Sequence, residues 1–359
     1  MIKEKIKKEI NKNSVISFSK YMEIILFDEF GIYEKNSIFG KEGHFITSPL
    51  ISEKFSQALA NHYISFNKQF PLSSILELGG GDGTLACDLL AYLKKCNNLP
   101  KAYYFYERSK KLINHQKNFL HDKDFYQDVS FFWIESPEDV PKSSFIIANE
   151  FFDCLPIDIY KYHKKKFLKA VINANLIFDW IEASENEQDL FKLLDLPNDL
   201  PNDYFFELSK YQKTFIELLS SNIDKSEMVI IDYGYASSEM YIKDRMRGTI
   251  ACIKNHISDF NPLEDIGEKD ISSFVNFSFI SNILKNNGWN NRGFLNQASY
   301  LLSFDILKDL NYNDYSEINS VKKLILPNHM GEIFKVLITS KNIKNPIMYN
   351  LFKNDIMKL

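Results

Sequence analysis

Apolar residues recur along the chain at two periods, and the alternation between them predicts the fold. Phe18, Tyr21, Met22, Ile25 and Leu26 fall at i, i+3, i+4, i+7 and i+8, the stripe of an amphipathic helix that must dock on something. A second stripe, Ile51, Phe55, Ala58, Leu59, His62 and Phe66, follows Ser48-Pro49, where Ser can cap a helix and Pro can open it. Two helices are therefore expected ahead of the first strand. Apolar runs follow at SILEL (74–78), YYFYE (103–107), VSFFWI (129–134), SFIIAN (144–149) and MVIIDYGY (228–235), mostly separated by amphipathic stretches. That alternation predicts an α/β fold, a parallel sheet with crossover helices. Residues 158–208 break the rhythm: IDIYKYHKKKFLKAVI reads as short strands around a basic turn and LPNDLPND as a loop, which makes the interval an insertion. GEIFKVLITS (331–340) supplies one more strand.

The expected organisation is an N-terminal helical cap or lid (1–72), the first half of a ligand-binding core (73–157), an inserted α+β region (158–208), the second half of the core with accessory elements (209–340), and a C-terminal tail (341–359). A chain of 359 residues, 45% hydrophobic and 25% charged, can bury a large core of this kind. Its formal net charge of −4 offers no general pull toward nucleic acid. Cys87, Cys96, Cys154 and Cys252 have no C-x-x-C spacing, so they read as core thiols in a reducing compartment, not as a zinc site. Nor does any His/Asp cluster show metal spacing, so no metal is expected. MIKEKIKKEINKN lacks the apolar region of a secretory signal, and its Glu4 and Glu9 are unlike a transit peptide. No segment reaches about 18 uncharged apolar residues, so no membrane insertion is expected. A cytoplasmic location follows from these features.

The candidate chemistry begins at SSILELGGGDGTLACDLL (73–90), a glycine turn between a strand and a helix. In an open parallel sheet the ligand lies beyond the carboxyl ends of the strands, where glycine permits close approach of the backbone. Gly81-Asp82-Gly83-Thr84-Leu85-Ala86 satisfies the dinucleotide pattern G-x-G-x-x-A, with Glu107 about 25 residues on for a ribose hydroxyl. Glu77, Gly79, Gly81 and Gly83 equally satisfy E-x-G-x-G-x-G, a pattern of enzymes that use S-adenosylmethionine (SAM). Glu77 favours SAM, because a carboxylate at the mouth of the loop would repel a pyrophosphate and suits ammonium and sulfonium groups. The helices ahead of the first strand also have no place in a minimal dinucleotide domain. Gly81, Gly83 and Thr84 belong to the candidate cofactor site in either case.

Phrases spread through the chain resemble the MidA-type SAM-dependent protein arginine methyltransferases, the family of the mitochondrial complex I assembly methyltransferase. They include ISFSKYMEIILFD (16–28), GHFITSP (43–49), ELGGGDGTL (77–85), ANEFFDCLPI (148–157), IDYGY (231–235), GTIACIKNH (248–256), DIGEKDISSFVNF (265–277) and MGEIFKVL (330–337). Leu50, Ser56-Gln57 and Asn276 depart from the family pattern. The resemblance implies a Rossmann-like class I methyltransferase core, SAM as cofactor, and a protein side chain, arginine foremost, as acceptor. A respiratory-complex subunit is the implied partner, and a homodimer is compatible with it.

An arginine acceptor is protonated at ordinary pH and its lone pair is delocalised, so carboxylates that hold the guanidinium are expected. Asn149, Glu150 and Asp153 follow the fourth strand; Glu150 and Asp153 stand at i, i+3 and share a pocket if a helix begins there, with Phe151 and Phe152 as walls. The bland alternative is Asn149 as a helix cap with two acids complementing its dipole. Thr47 or Ser48 in GHFITSP would reach the cofactor from a lid. Weaker candidates are Asp232, Tyr233 and Tyr235 at the end of the fifth strand, Trp133 and Glu135 to Asp139 near an adenine position, and the isolated His44 and His256. The basic KYHKKK (161–166) reads as a solvated hairpin turn. A small-molecule O- or N-methyltransferase, and a SAM- or dinucleotide-binding assembly factor without essential catalysis, are the competing functions.

Overall fold

A computed structural model describes residues 1–34, 47–71, 74–254, 257–344 and 348–359. The five apolar runs form the parallel strands Ser74–Leu78, Ala102–Tyr106, Ser130–Ile134, Phe145–Asn149 and Ser226–Tyr235. Across the sheet their order is 130–134, 102–106, 74–78, 145–149, 226–235. The chain therefore winds outward from 74–78 to one edge, then crosses back to 145–149 on its other side. Phe334–Lys341 pairs antiparallel with Ser226–Tyr235, and Trp289–Asn296 closes the edge antiparallel to it. A doubly wound dinucleotide sheet ends in a parallel sixth strand. Here an antiparallel strand intervenes.

Alternation along the strands sends side chains to opposite faces. Ile75, Phe145, Ile147, Val229 and Ile231 pack with Phe55, Leu59 and Phe66 of the helix Glu53–Gln69 and with Leu85 and Leu89 of Thr84–Lys95. Leu76, Leu78, Ile146, Met228 and Ile230 face Phe215 and Leu219 of Lys210–Asn222 and Ile280 and Ile283 of Phe277–Asn286. Each such side chain, fully buried, contributes about 1.5–3 kcal/mol, so the central strands carry a large share of the packing energy.

Several elements differ from expectation. Glu53–Gln69 starts behind Ser52, whose hydroxyl accepts the Lys54 N–H at 3.3 Å, and is not opened by Ser48-Pro49. Those two residues sit in a separate turn, Ser48–Ile51, because Ser52 is extended (φ −161°) and breaks the helix between them. Met330–Ile333 is one helical turn, so the last central strand begins at Phe334. The polar WNNRGFLN gave no strand signal, yet it pairs along most of Phe334–Lys341 with a register shift between Asn291 and Gly293.

Met1 is followed by the helix Ile2–Asn13, in which Ile2, Ile6 and Ile10 are buried at i, i+4 and i+8. They join Phe18, Tyr21 and Ile25 of Phe18–Phe27 and Ile157, Ile159, Ala170 and Ile172 in a third core. Strands Asp158–His163, Lys166–Ile172, Phe178–Glu182 and Tyr204–Leu208 form a second sheet, joined by Ile16–Ser17. Its basic turn places Lys164 and Lys165 at positive φ, at 47° and 63°. Among the described residues, no helix is long and apolar enough to cross a membrane.

Candidate active site

The glycine loop leaves Ser74–Leu78, and residues 150–155 leave the adjacent parallel strand Phe145–Asn149, with Leu78 paired to Ala148. Winding reverses between these two strands, which is where open α/β sheets bind ligands. A cavity of about 790 Å³ opens there. Gly79, Gly81 and Gly83 have φ of 73°, 51° and 87°, a region that L side chains rarely enter. Gly80 is needed for space: a Cβ there would lie 2.4 Å from the Phe105 ring.

The cavity wall is acidic. Glu34, Glu77, Asp82, Glu107, Glu135, Glu150, Asp153 and Asp270 line it, against one guanidinium, Arg108, among the described lining residues. Glu77 is buried at the end of its strand and accepts the Tyr103 hydroxyl at 2.7 Å; burial pushes its carboxyl up to about 8. Glu107 is held by the N–H groups of Arg108 and Ser109, each 2.9 Å from Oε1, and burial raises it to about 7. Glu150 reaches about 8 through burial and the nearby Asp153 charge; among the described residues the Ser48 N–H and the Asn149 side-chain amide approach it, each at 3.4 Å. Asp153 rises to about 6 by burial and accepts a hydrogen bond from the Tyr233 hydroxyl. Asp232, fully buried behind them, accepts the N–H groups of Phe152 and Asp153 at 3.0 and 3.3 Å.

No helix begins at Asn149. The Glu150 N–H continues the sheet by donating to the Ile231 carbonyl at 2.8 Å, and Glu150 then turns the chain at φ 50°. With that positive φ, and with the Phe152 and Asp153 N–H groups directed to Asp232, the segment folds as a turn and not as the expected i, i+3 helix. Both carboxyls nonetheless line one cavity.

Thr47, Glu77, Gly79, Gly81, Glu107, Asn149, Glu150 and Asp153 are brought together around that cavity, with Phe151 and Tyr233. Gly83 and Thr84 stand behind the lining residues: Gly83 caps Thr84–Lys95, and the Thr84 N–H turns to Asp82 Oδ1 at 3.0 Å. Ser48 directs its hydroxyl to Gln297 at 3.2 Å, leaving only its N–H toward Glu150. Phe152 is in the core, and Tyr235 lies under the Arg245 guanidinium at 4.6 Å. Trp133 donates to Gln116 at 2.8 Å, and Gln116 donates to the Gly81 carbonyl at 2.8 Å, so Trp133 braces the glycine loop from outside. Glu135 lines the cavity. Asn276 caps Phe277–Asn286 through the Phe279 N–H at 3.0 Å. His44, His256 and residues 43–46 of the lid phrase lie outside the described residues. Sequence reasoning missed Tyr33, Arg108, Asp270 and Ser272; the last two lie within DIGEKDISSFVNF, singled out as a phrase but not as side chains.

Raised carboxyls carry a stability signature. Below about pH 4.5, Glu77 and Glu150 are protonated in both folded and unfolded chains and cost nothing; as pH rises toward 8 the unfolded chain ionises first. Stability is therefore lost over that window, at about 1.4 kcal/mol per pH unit for each group. A bound cation reverses the loss. The thermal midpoint should fall from pH 5 to pH 8, and excess SAM should flatten the fall; a midpoint that ignores pH with and without SAM contradicts the assignment.

The sheet order, with its antiparallel strand before the last, and an acid-walled cavity at the switch point define a class I methyltransferase. A pyrophosphate would face many carboxylates and one guanidinium there, whereas SAM brings an ammonium and a sulfonium. The chain belongs to the S-adenosyl-L-methionine-dependent methyltransferase family whose model matches residues 56–295, as its resemblance to the MidA-type enzymes implied. It is a SAM-dependent enzyme. It is 26% identical over 375 residues to a zebrafish (Danio rerio) protein named protein arginine methyltransferase NDUFAF7, mitochondrial, covering 91% of this chain and 84% of that one. The Caenorhabditis elegans homolog of that name is 24% identical over 77% of this chain and 70% of its own length. A superfamily member from Burkholderia thailandensis, crystallised with S-adenosyl-homocysteine (SAH), superposes with a TM-score of 0.87 at 25% identity, covering 97% of this chain and 93% of that one.

These names correct the cytoplasmic expectation, since the relatives are called mitochondrial proteins. The alternating Lys and Glu of the first residues form the polar side of a packed helix.

Proposed function

We propose that this enzyme methylates the guanidinium of a protein arginine, and that Glu150, Asp153 and Asn149 hold the acceptor while Glu77, Glu107, Thr47 and the glycine loop hold the cofactor. The observation that carries this reading is the set of buried carboxyls with almost no protein cation among the described lining residues. Burying uncompensated acids is unfavourable unless a cation completes the site. Two cations answer that need here, the cofactor and the acceptor. The arginine methyltransferase names of the relatives support the same acceptor.

When bound, SAM supplies an electrophilic methyl group on a positively charged sulfur. Glu77 offers its carboxylate to the ammonium end, held in place by the Tyr103 hydroxyl. Glu107 would offer its other oxygen, Oε2, to a ribose diol, and the Arg108 and Ser109 N–H groups on Oε1 fix its rotamer. The backbone around Gly79 and Gly81 permits close approach, while Gly83 and Thr84 set the start of the helix behind it. Thr47 closes the cavity from the turn that Ser48 anchors on Gln297. Glu150 and Asp153 orient a guanidinium plane, and one carboxylate oxygen receives the proton that the nitrogen sheds. Carboxyls raised to about 8 and about 6 are suited to that proton transfer near neutral pH. Phe151, Phe274 and Phe334 narrow the cavity and exclude water.

The test is transfer of a labelled methyl group from SAM into a lysate of the host, separated by size after incubation. Label should collect in the protein fraction. Label confined to small molecules would instead identify a small-molecule methyltransferase.

A further inference from the structure

Asn149 Oδ1, Asp153 Oδ1 and Asp270 Oδ1 are buried and have no hydrogen-bond partner among the described residues. All three residues line the same cavity. An unsatisfied buried acceptor costs about 1–3 kcal/mol, and folded proteins keep few of them. Three at one cavity ask for a ligand that donates in several directions at once. We propose that Asp270 is a further acceptor-binding carboxylate, closing with Asp153 and Asn149 around the guanidinium of the substrate arginine; this rests on the arginine reading above.

Asp270 arrives from far along the chain, on the short strand Asp270–Ser272, which pairs with Ala251–Lys254 outside the central sheet. The segment is fastened to the acceptor turn at two points. The Ser273 N–H donates to the Asp153 carbonyl at 3.2 Å, and the Tyr233 hydroxyl, hydrogen-bonded to Asp153 Oδ2, lies 3.1 Å from Ser272 Oγ. Tyr233 thus occupies one Asp153 oxygen and leaves the other free. Asp153 and Asp270 also sense each other: burial, then the Asp153 charge, lifts the Asp270 carboxyl to about 7. The Tyr33 hydroxyl and the Ile271 N–H hydrogen-bond to the Asp270 carboxyl and hold it down against that rise, so Oδ1 is the oxygen left for a ligand, and the Cys154 thiol faces the same group.

The shape of the donor set selects the ligand class. A guanidinium presents five N–H donors in a rigid plane, more than one carboxylate can accept, whereas an ammonium presents three. Free oxygens on two separate elements, plus the Asn149 carbonyl, suit the planar group. A neutral hydroxyl acceptor would leave two carboxyls facing each other without a cation.

Ethylguanidinium can be titrated into the enzyme saturated with SAH and followed by NMR, in wild type and Asp270→Asn, at pH 6 and pH 8. Wild type should bind it several-fold more tightly at pH 8, as the carboxyls ionise. Asp270→Asn should bind it at least tenfold more weakly, with SAH affinity within twofold of wild type and a flattened pH response. Unchanged ethylguanidinium binding by Asp270→Asn overturns the role of Asp270 and leaves the arginine reading standing. Wild type that ignores ethylguanidinium, or prefers N-ethylacetamide, overturns both. Should Asp270→Asn lose SAH binding and so prove misfolded, Asp270→Glu, which keeps the charge, decides in its place: with SAH affinity retained, ethylguanidinium binding should stay within a few-fold of wild type while Asp270→Ser loses at least tenfold, and equal binding by the Glu and Ser variants overturns the role of Asp270.

Discussion

Replacing Glu107 with alanine should lower the affinity for SAH about a hundredfold, measured by calorimetry. The Glu107 carboxylate sits at the carboxyl end of Ala102–Tyr106, with two backbone N–H groups on Oε1. That arrangement leaves acceptor capacity for a ligand diol. Hydrogen bonds to a charged acceptor are worth about 1.5–3 kcal/mol each, so losing a forked pair removes several kcal/mol. Part returns because alanine no longer buries an acid that burial has raised to about 7. A net loss of about 2.7 kcal/mol corresponds to a hundredfold. The ligand-free variant should be as stable as wild type or more so. Affinity within threefold of wild type would remove Glu107 from the cofactor site.

The second large effect concerns transfer rather than cofactor binding. Glu150→Gln and Asp153→Asn should each lower kcat about 10²–10³-fold, the usual cost of removing one preorganised charge partner, while SAH affinity changes less than threefold. The two acids act on the same acceptor, so their combined loss should fall short of the sum. In wild type, kcat/KM should rise from pH 6 and level off above pH 8, because the carboxyls at about 6 and about 8 must be ionised to hold a cation. Glu150→Gln should move the rise to lower pH. Variants that keep full biological activity without transferring methyl groups would favour an assembly role for the protein.

The central sheet was legible because its inner strands, SILEL, SFIIAN and MVIIDYGY, are buried on both faces and read as apolar runs, while the outer Ser130–Ile134 is only part-buried but still aromatic-rich. The edge strand Trp289–Asn296 was not, since its pairing with Phe334–Lys341 is a long-range event and its Asn-rich sequence carries no alternation. The first helix hid its Ile2, Ile6, Ile10 spacing behind charged residues read as a question of targeting. In the site, Glu77 and Glu107 follow from local grammar, an acid placed at the end of a strand. Glu150 and Asp153 follow from an i, i+3 helix that does not form, because Glu150 turns the chain at φ 50° and the Asp153 N–H goes to Asp232 of a neighbouring strand. Asp270 had no local signal at all. It reaches the cavity only through an accessory strand whose pairing no periodicity announces.

The most direct measurement is mass spectrometry of host proteins after incubation with SAM carrying a deuterated methyl group, comparing wild type with Glu150→Gln. The heavy methyl should sit on arginine side chains, present with wild type and absent with the variant. Heavy methyl groups on lysine or glutamine instead, or equal labelling by both enzymes, would contradict arginine methylation through Glu150.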